Sequence, residues 1–220
     1  MVESVIGKAD EPRREPEPAV PVWLARLNPK PTERSAYLEG RGLTVPHALR
    51  WARKVPYFQD AAELGQFDAM LAPVVRGDKF LGYHITYLHA GKKAPVPAPR
   101  KMLCSGTAGA ACQLYPLDGE ELGVGEGIET CIAAHQLFQV PVWAALNTSM
   151  LARFEWPAAV KLLRIFADND ANFAGHAAAY ALAHRAAQMG LTVAVHMPAT
   201  IGDWNDVLLR DREKSSVATV

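Results

Sequence analysis

Residues 122–138 read Leu-Gly-Val-Gly-Glu-Gly-Ile-Glu-Thr-Cys-Ile-Ala-Ala-His-Gln-Leu-Phe. A short apolar run, Leu122 to Gly125, meets a glycine-flanked acid, Glu126, and then a helical stretch from Ile128 to Phe138. A buried strand feeding a helix through a tight turn has this form. The unit recurs toward the C-terminus. Further apolar strands are predicted at 140–146, 161–167 and 192–197, with helices over Ser149–Phe154, Ala174–Met189 and Trp204–Leu209. Strand and helix in alternation predict a parallel sheet with right-handed crossovers. Leu162-Leu163-Arg164-Ile165-Phe166-Ala167 is nearly all apolar, as a strand covered on both faces must be. Eight alanines between Ala174 and Ala187 make that helix slim enough to seat close against the sheet.

Upstream, residues 34–118 are mixed. Arg34 to Leu38 reads as helical, Gly40 and Gly42 break it, and Thr44-Val45-Pro46 predicts a second helix with Thr44 as N-cap. Met70–Val75 and Phe80–Leu88 read as strands joined by a turn at Arg76-Gly77-Asp78. Gly91 to Lys101 is expected to be an extended basic loop, because Pro95, Pro97 and Pro99 forbid a helix. Residues 1–33 read as a flexible Pro-rich arm, with the apolar patch Val22–Leu27 docking onto the mixed region. Residues 119–212 form the α/β domain, and 213–220 read as a flexible tail.

The composition narrows the function. Of 220 residues, 23 are Lys or Arg and 23 Asp or Glu, and this neutral balance argues against a non-specific DNA coat. Cys104, Cys112 and Cys131 form no C-x-x-C pair, which excludes a zinc ribbon within the chain, and an odd, scattered set points to a reducing, cytoplasmic setting. No apolar run reaches membrane-spanning length, and no signal-peptide core is expected at the N-terminus.

In open α/β sheets, ligands bind beyond the carboxyl ends of the strands. Acidic residues occupy that edge: Glu126 after the first strand, Asp168 and Asp170 after the third, Asp203 and Asp206 after the fourth. Gly125 and Gly127 are read as letting a bulky ligand or metal approach Glu126. Converging carboxylates repel one another unless a cation holds them, and oxygen-only ligands select Mg²⁺ or Mn²⁺ over zinc. The plainer reading of Asp203 is a helix N-cap, and of Glu126 a solvated loop residue. His84 and His89, five apart on a strand, face opposite sides and cannot simply chelate one metal. Cys131 reads as buried rather than as a catalytic thiol.

Gly123-Val124-Gly125-Glu126-Gly127-Ile128-Glu129-Thr130, Ala167-Asp168-Asn169-Asp170 and Gly202-Asp203-Trp204-Asn205-Asp206 together resemble the Toprim domain, in the version found in primases and primase-helicases of phages, plasmids and integrative elements. The resemblance covers roughly residues 119–210 and implies a Rossmann-like parallel sheet flanked by helices, behind a small α+β subdomain. It assigns catalytic metal binding to Glu126, Asp168 and Asp170, and less directly to Asp203 and Asp206. Ser35 to Thr44, which includes Arg41, resembles the opening of the subdomain that precedes Toprim in these primases.

The resemblance implies template and nucleotide contacts at Arg41, Lys92, Lys93, Arg100 and Lys101, where the cations would neutralise phosphates and Tyr83 or Tyr87 would stack a base. A solvated loop and ordinary core aromatics are the alternative. The resemblance implies primer synthesis from nucleoside triphosphates on single-stranded DNA, with a helicase or single-strand-binding protein as a further partner. Full primases of this group carry a zinc ribbon and often a helicase, which are not in this sequence. A metal-dependent nuclease using the same carboxylates, and a non-catalytic accessory that binds DNA or a replication protein, therefore stay open beside it.

Overall fold

The computed structural model describes residues 23–24 and 27–217. Most of the expected flexible arm, 1–22 and 25–26, and residues 218–220 of the expected tail lie outside these. Within the arm, Leu24 is buried and Trp23 packs against Phe58 with ring centroids 6.1 Å apart, so the described part of the apolar patch docks as its sequence predicts.

An antiparallel sheet comes first. It comprises β1 (Arg50–Gln59), β2 (Ala62–Arg76), β3 (Lys79–His89), β4 (Lys92–Lys93) and β5 (Arg100–Cys104), with β4 and β5 both pairing with β3. The short helix α1 (Ala36–Glu39) precedes it, and the Ser35 hydroxyl caps it by accepting from the Leu38 N–H. No helix begins at Thr44. The Thr44 N–H and hydroxyl both donate to Gln136 Oε1, at 2.8 and 3.2 Å, instead of capping a helix of their own. The chain makes only a single turn there, with the Leu49 N–H donating to the Pro46 carbonyl at 3.1 Å, before β1 begins at Arg50 with Val55 and Tyr57 alternating inward. Pro56 is tolerated because β1 lies at the sheet's edge. The β1–β2 turn sits at Asp60 and Ala61, both left-handed at φ 48° and 65°. Hairpin turns of that kind normally carry Gly or Asn.

The second sheet is parallel, in the order β7 (Val142–Ala144), β6 (Glu121–Gly125), β8 (Leu162–Phe166), β9 (Thr192–His196). The helices α2 (Ile128–Phe138), α3 (Thr148–Ala152), α4 (Ala174–Gln188) and α5 (Trp204–Val217) flank it. The fold is thus the expected α/β architecture behind an antiparallel sheet. The last helix runs on to Val217, replacing the expected flexible tail from 213 onward as far as it is described. Arg210, Arg212, Glu213 and Lys214 are good helix formers, and Asp206 at the start and Lys214 near the end suit the helix dipole.

The chain runs from β6 to β7 on one side and then crosses to β8 on the other. The switch point therefore lies between β6 and β8, which pair with Gly125 opposite Phe166. Two buried clusters meet around this sheet, one reaching α1, α2 and α5 and the other α3 and α4.

Gly125 does not open space for a ligand, as its sequence context suggested. A Cβ there would stand 2.9 Å from Cys131 Sγ and 3.0 Å from the Phe166 carbonyl, so the missing side chain lets α2 press onto the sheet. Among the described residues no helix is long and apolar enough to cross a membrane. Gly125→Ala should cost about 1–3 kcal/mol through overpacking and lower the midpoint of denaturant unfolding. Unchanged stability would show that α2 is free to shift away.

Candidate functional site

Parallel pairing of β6 and β8 brings their last residues to one edge, and Glu126 and Asp168 leave the strands side by side there. Asp168 Oδ1 accepts a hydrogen bond from the Thr130 hydroxyl at 2.8 Å, which fixes its orientation from the first turn of α2. Burial, reinforced by Asp203, Glu126 and Asp170 and opposed by Thr130, pushes Asp168 up to about 7. Burial and Asp170 likewise raise Glu126, while Arg100 pulls it back. The carboxylates therefore share one electrostatic environment.

The acidic loop is fastened to the one before α5. Asn169 and Gly202 exchange backbone hydrogen bonds at 3.0 and 3.1 Å, and the Trp204 indole donates to the Ala167 carbonyl at 3.1 Å. Asp203 and Asp206 then take different parts. Asp203 Oδ1 accepts from the Asp206 N–H at 2.9 Å, and Asp206 Oδ2 accepts from the Asp203 N–H at 3.2 Å. This reciprocal capping box explains both acids at the start of α5. Asp203 also faces inward, with Oδ2 3.9 Å from the Arg41 guanidinium, whereas Asp206 folds back over Gly202.

Among the described residues no three carboxylates, histidines or cysteines stand close enough together to hold a metal ion as they are placed. Like-charge repulsion opposes their closer approach. The donors at the edge are nonetheless all carboxylate oxygens, the chemistry suited to a hard divalent cation.

The basic residues divide. Lys93 Nζ lies 3.6 Å from Glu129 Oε1, and Arg100 acts electrostatically on Glu126, Glu129 and His84, so both border the carboxylate edge. Lys101, the next residue along β5, points to the other face as strand alternation requires. Its ammonium donates to the Phe58 carbonyl and sits 4.2 Å from the centroid of the Tyr57 ring. Lys92 is exposed on β4. Tyr87 is core: its hydroxyl donates to the Pro56 carbonyl at 3.0 Å, and burial pushes it up to about 12. Tyr83 is half-buried, edge-on to Phe80 at 5.0 Å.

Sequence reasoning gave no role to Glu129, which is only 7% exposed and accepts from the Tyr37 hydroxyl. Burial works to raise its carboxyl, but Lys93, Tyr37 and Arg100 outweigh it and hold the group below its usual range. The one-turn spacing from Glu126 was the available signal. Cys131 is buried, bonds the Trp143 carbonyl at 3.2 Å and is pushed well up by that burial.

Residues 121–213 match the family model of the Toprim domain, and residues 13–114 match a Domain of unknown function (DUF7146). No curated protein matches the chain. Among solved structures, the primase fragment of the bacteriophage T7 primase-helicase protein is similar at 16% identity and TM-score 0.57, over 89% of this chain and 76% of that one. A DNA primase domain from Pseudomonas aeruginosa aligns at 15% identity and TM-score 0.53, over 83% and 70%. The DnaG catalytic core aligns at 14% identity and TM-score 0.56, over 83% and 71%. Residues 121–213 thus match the Toprim domain, and the chain shares the fold of these primase structures.

His84 provides a pH test of the polar cluster behind the site. Burial first, then Arg100 and Lys93, push it down to about 4, against the pull of Glu129. Between the ordinary value of 6.5 and about 4, the unfolded chain holds a proton there that the folded chain does not. The stability His84 contributes is present above pH 6.5 and lost as pH falls through about 4. Between pH 7 and 4.5 the native protein should lose roughly 2 to 3 kcal/mol more than His84→Gln, read from urea melts at both pH values. Parallel pH profiles would show that His84 is not held neutral by burial.

Proposed function

We propose that the chain is a divalent-metal-dependent nucleotidyltransferase that synthesises primers on single-stranded DNA, in the cytoplasmic replication of a phage or mobile element. One observation carries this reading: cations from the antiparallel sheet, Lys93 and Arg100, border a carboxylate edge at the switch point of a Toprim sheet. In this reading residues 34–118 and 119–212 are the two parts of one catalytic core.

Glu126, Asp168 and Asp170 would hold Mg²⁺ or Mn²⁺, with Asp203 beside them. When bound, the cation would neutralise phosphate charge during nucleotidyl transfer. The protein's own groups would do the rest. Thr130 would keep Asp168 turned to the edge. Arg100 and Lys93 would take the phosphates of nucleoside triphosphate or template, and Arg41, tied to Asp203, would flank them. Asp206 would serve through the α5 cap that positions Asp203. A helicase or single-strand-binding protein would bring the template.

The deciding assay mixes the protein with Mg²⁺ or Mn²⁺, single-stranded DNA and labelled nucleoside triphosphates, and scores both synthesis and cleavage. Primer synthesis supports the reading; cleavage alone would make the chain a nuclease, and neither would leave a binding accessory. Asp168→Asn should abolish metal-dependent chemistry while leaving the protein in EDTA at least as thermally stable as wild type, because a repelled carboxylate is removed. Unfolding in EDTA would recast Asp168 as a structural acid. Lys93→Ala combined with Arg100→Ala should weaken single-stranded DNA binding and flatten its log–log salt dependence by up to about 0.7 per cation. An unchanged slope would put the nucleic-acid path elsewhere.

A further inference from the structure

The acidic loop runs from Asp168 to Phe173, where α4 begins. The Phe173 N–H donates to the Asp170 carbonyl at 3.1 Å, so the chain turns tightly between the acids and the helix. That turn leaves Phe173 left-handed at φ 58° and ψ 10°, with no side-chain cap on it. Left-handed backbone suits Gly or Asn and strains a bulky residue. Asn172 stands one position earlier, yet its Oδ1 only accepts from the Ala174 N–H at 3.0 Å.

The fold gains no burial in return, because the Phe173 ring remains 66% exposed. Its neighbour is the His176 ring, 5.2 Å away and tilted by 56°, whose Nδ1 is buried without a protein partner. An aromatic ring held outward by strained backbone, three residues from Asp170, touches the His176 ring yet keeps most of its surface in solvent. Strain of this kind is retained at sites that bind or react. Asp170 and Arg100 both act electrostatically on Glu126, so a ligand with its phosphates on that cation and a flat apolar face would extend toward the ring, and a nucleotide has both.

We propose that Phe173 is a nucleobase platform, stacking the base of a nucleotide whose phosphates lie at the carboxylate edge; this rests on the nucleotidyltransferase reading. The base belongs either to a single strand or to a free nucleoside triphosphate, and binding resolves the source. Labelled oligo(dT) titrated by fluorescence anisotropy and ATP titrated by calorimetry, both with Mn²⁺, are the two arms. Phe173→Ala should weaken one arm by about 5- to 150-fold, leave its salt slope unchanged because the ring is uncharged, and be rescued by Phe173→Trp. Phe173→Gly should weaken binding equally while matching or exceeding the wild-type melting temperature, since glycine accepts the left-handed backbone. A ring that served only the fold would give the opposite pairing, lower stability with unchanged affinity. If Phe173→Ala binds both probes as tightly as wild type while the Lys93 and Arg100 double variant does not, the platform is refuted and the functional reading survives. Wild-type protein that binds neither probe overturns both.

Discussion

Adjacent parallel strands that end together must deliver their next residues to the same place. Gly125 opposite Phe166 is such an ending, and the acids that follow are Glu126, one residue on, and Asp168, two residues on. Their repulsion, felt at partly buried positions, is the constraint around which the rest is arranged. Thr130 reaches across from α2 to hold Asp168 at 2.8 Å, and Asn169 ties the acidic loop to Gly202. The reciprocal cap at Asp203 and Asp206 engages both acids, and the second oxygen of Asp203 still reaches toward Arg41.

The antiparallel sheet supplies the opposing charge. Lys93 and Arg100 come from β4 and β5, and the buried carboxylate of Glu129 meets them from α2 with the Tyr37 hydroxyl of α1 on the same group. Two structural layers of opposite charge thus share one buried acid. Removing the charge of Glu129 would strand Lys93 at the interface, which is costlier than never having built the pair.

The parallel half was legible because its signals are local and redundant. Apolar strands of uninterrupted sequence, alanine in α4 and acids at the strand ends all agree, and α2 spans Ile128 to Phe138 as its periodicity predicts. The antiparallel half was harder. β1 escaped because its hairpin turns at Asp60 and Ala61 without a glycine, and because Thr44 and Pro46 imitate a helix start. Whether a cation on β5 faces the site depends on strand register: Arg100 pairs with Thr86 and Lys101 with Ile85, on opposite faces. A run of basic residues in a sequence does not carry that register. Gly125 misled for a related reason, since a glycine that admits a ligand and one that admits a helix look alike until the neighbour is known.

The residues between the sheets carry a consequence of their own. Ala111 bonds Val75 of β2 twice, at 2.9 Å each way, and its neighbour Cys112 bonds Ala144 of β7 at 2.7 and 2.9 Å. Two consecutive residues therefore staple one sheet to the other with four backbone hydrogen bonds, in a setting where Cys112 is fully buried. A clamshell motion of the two halves would have to tear that staple. In the proposed reading, room for a ligand at the carboxylate edge would then come from the loops around it, the Gly91–Arg100 segment and those leading into α4 and α5, rather than from swinging one sheet away from the other.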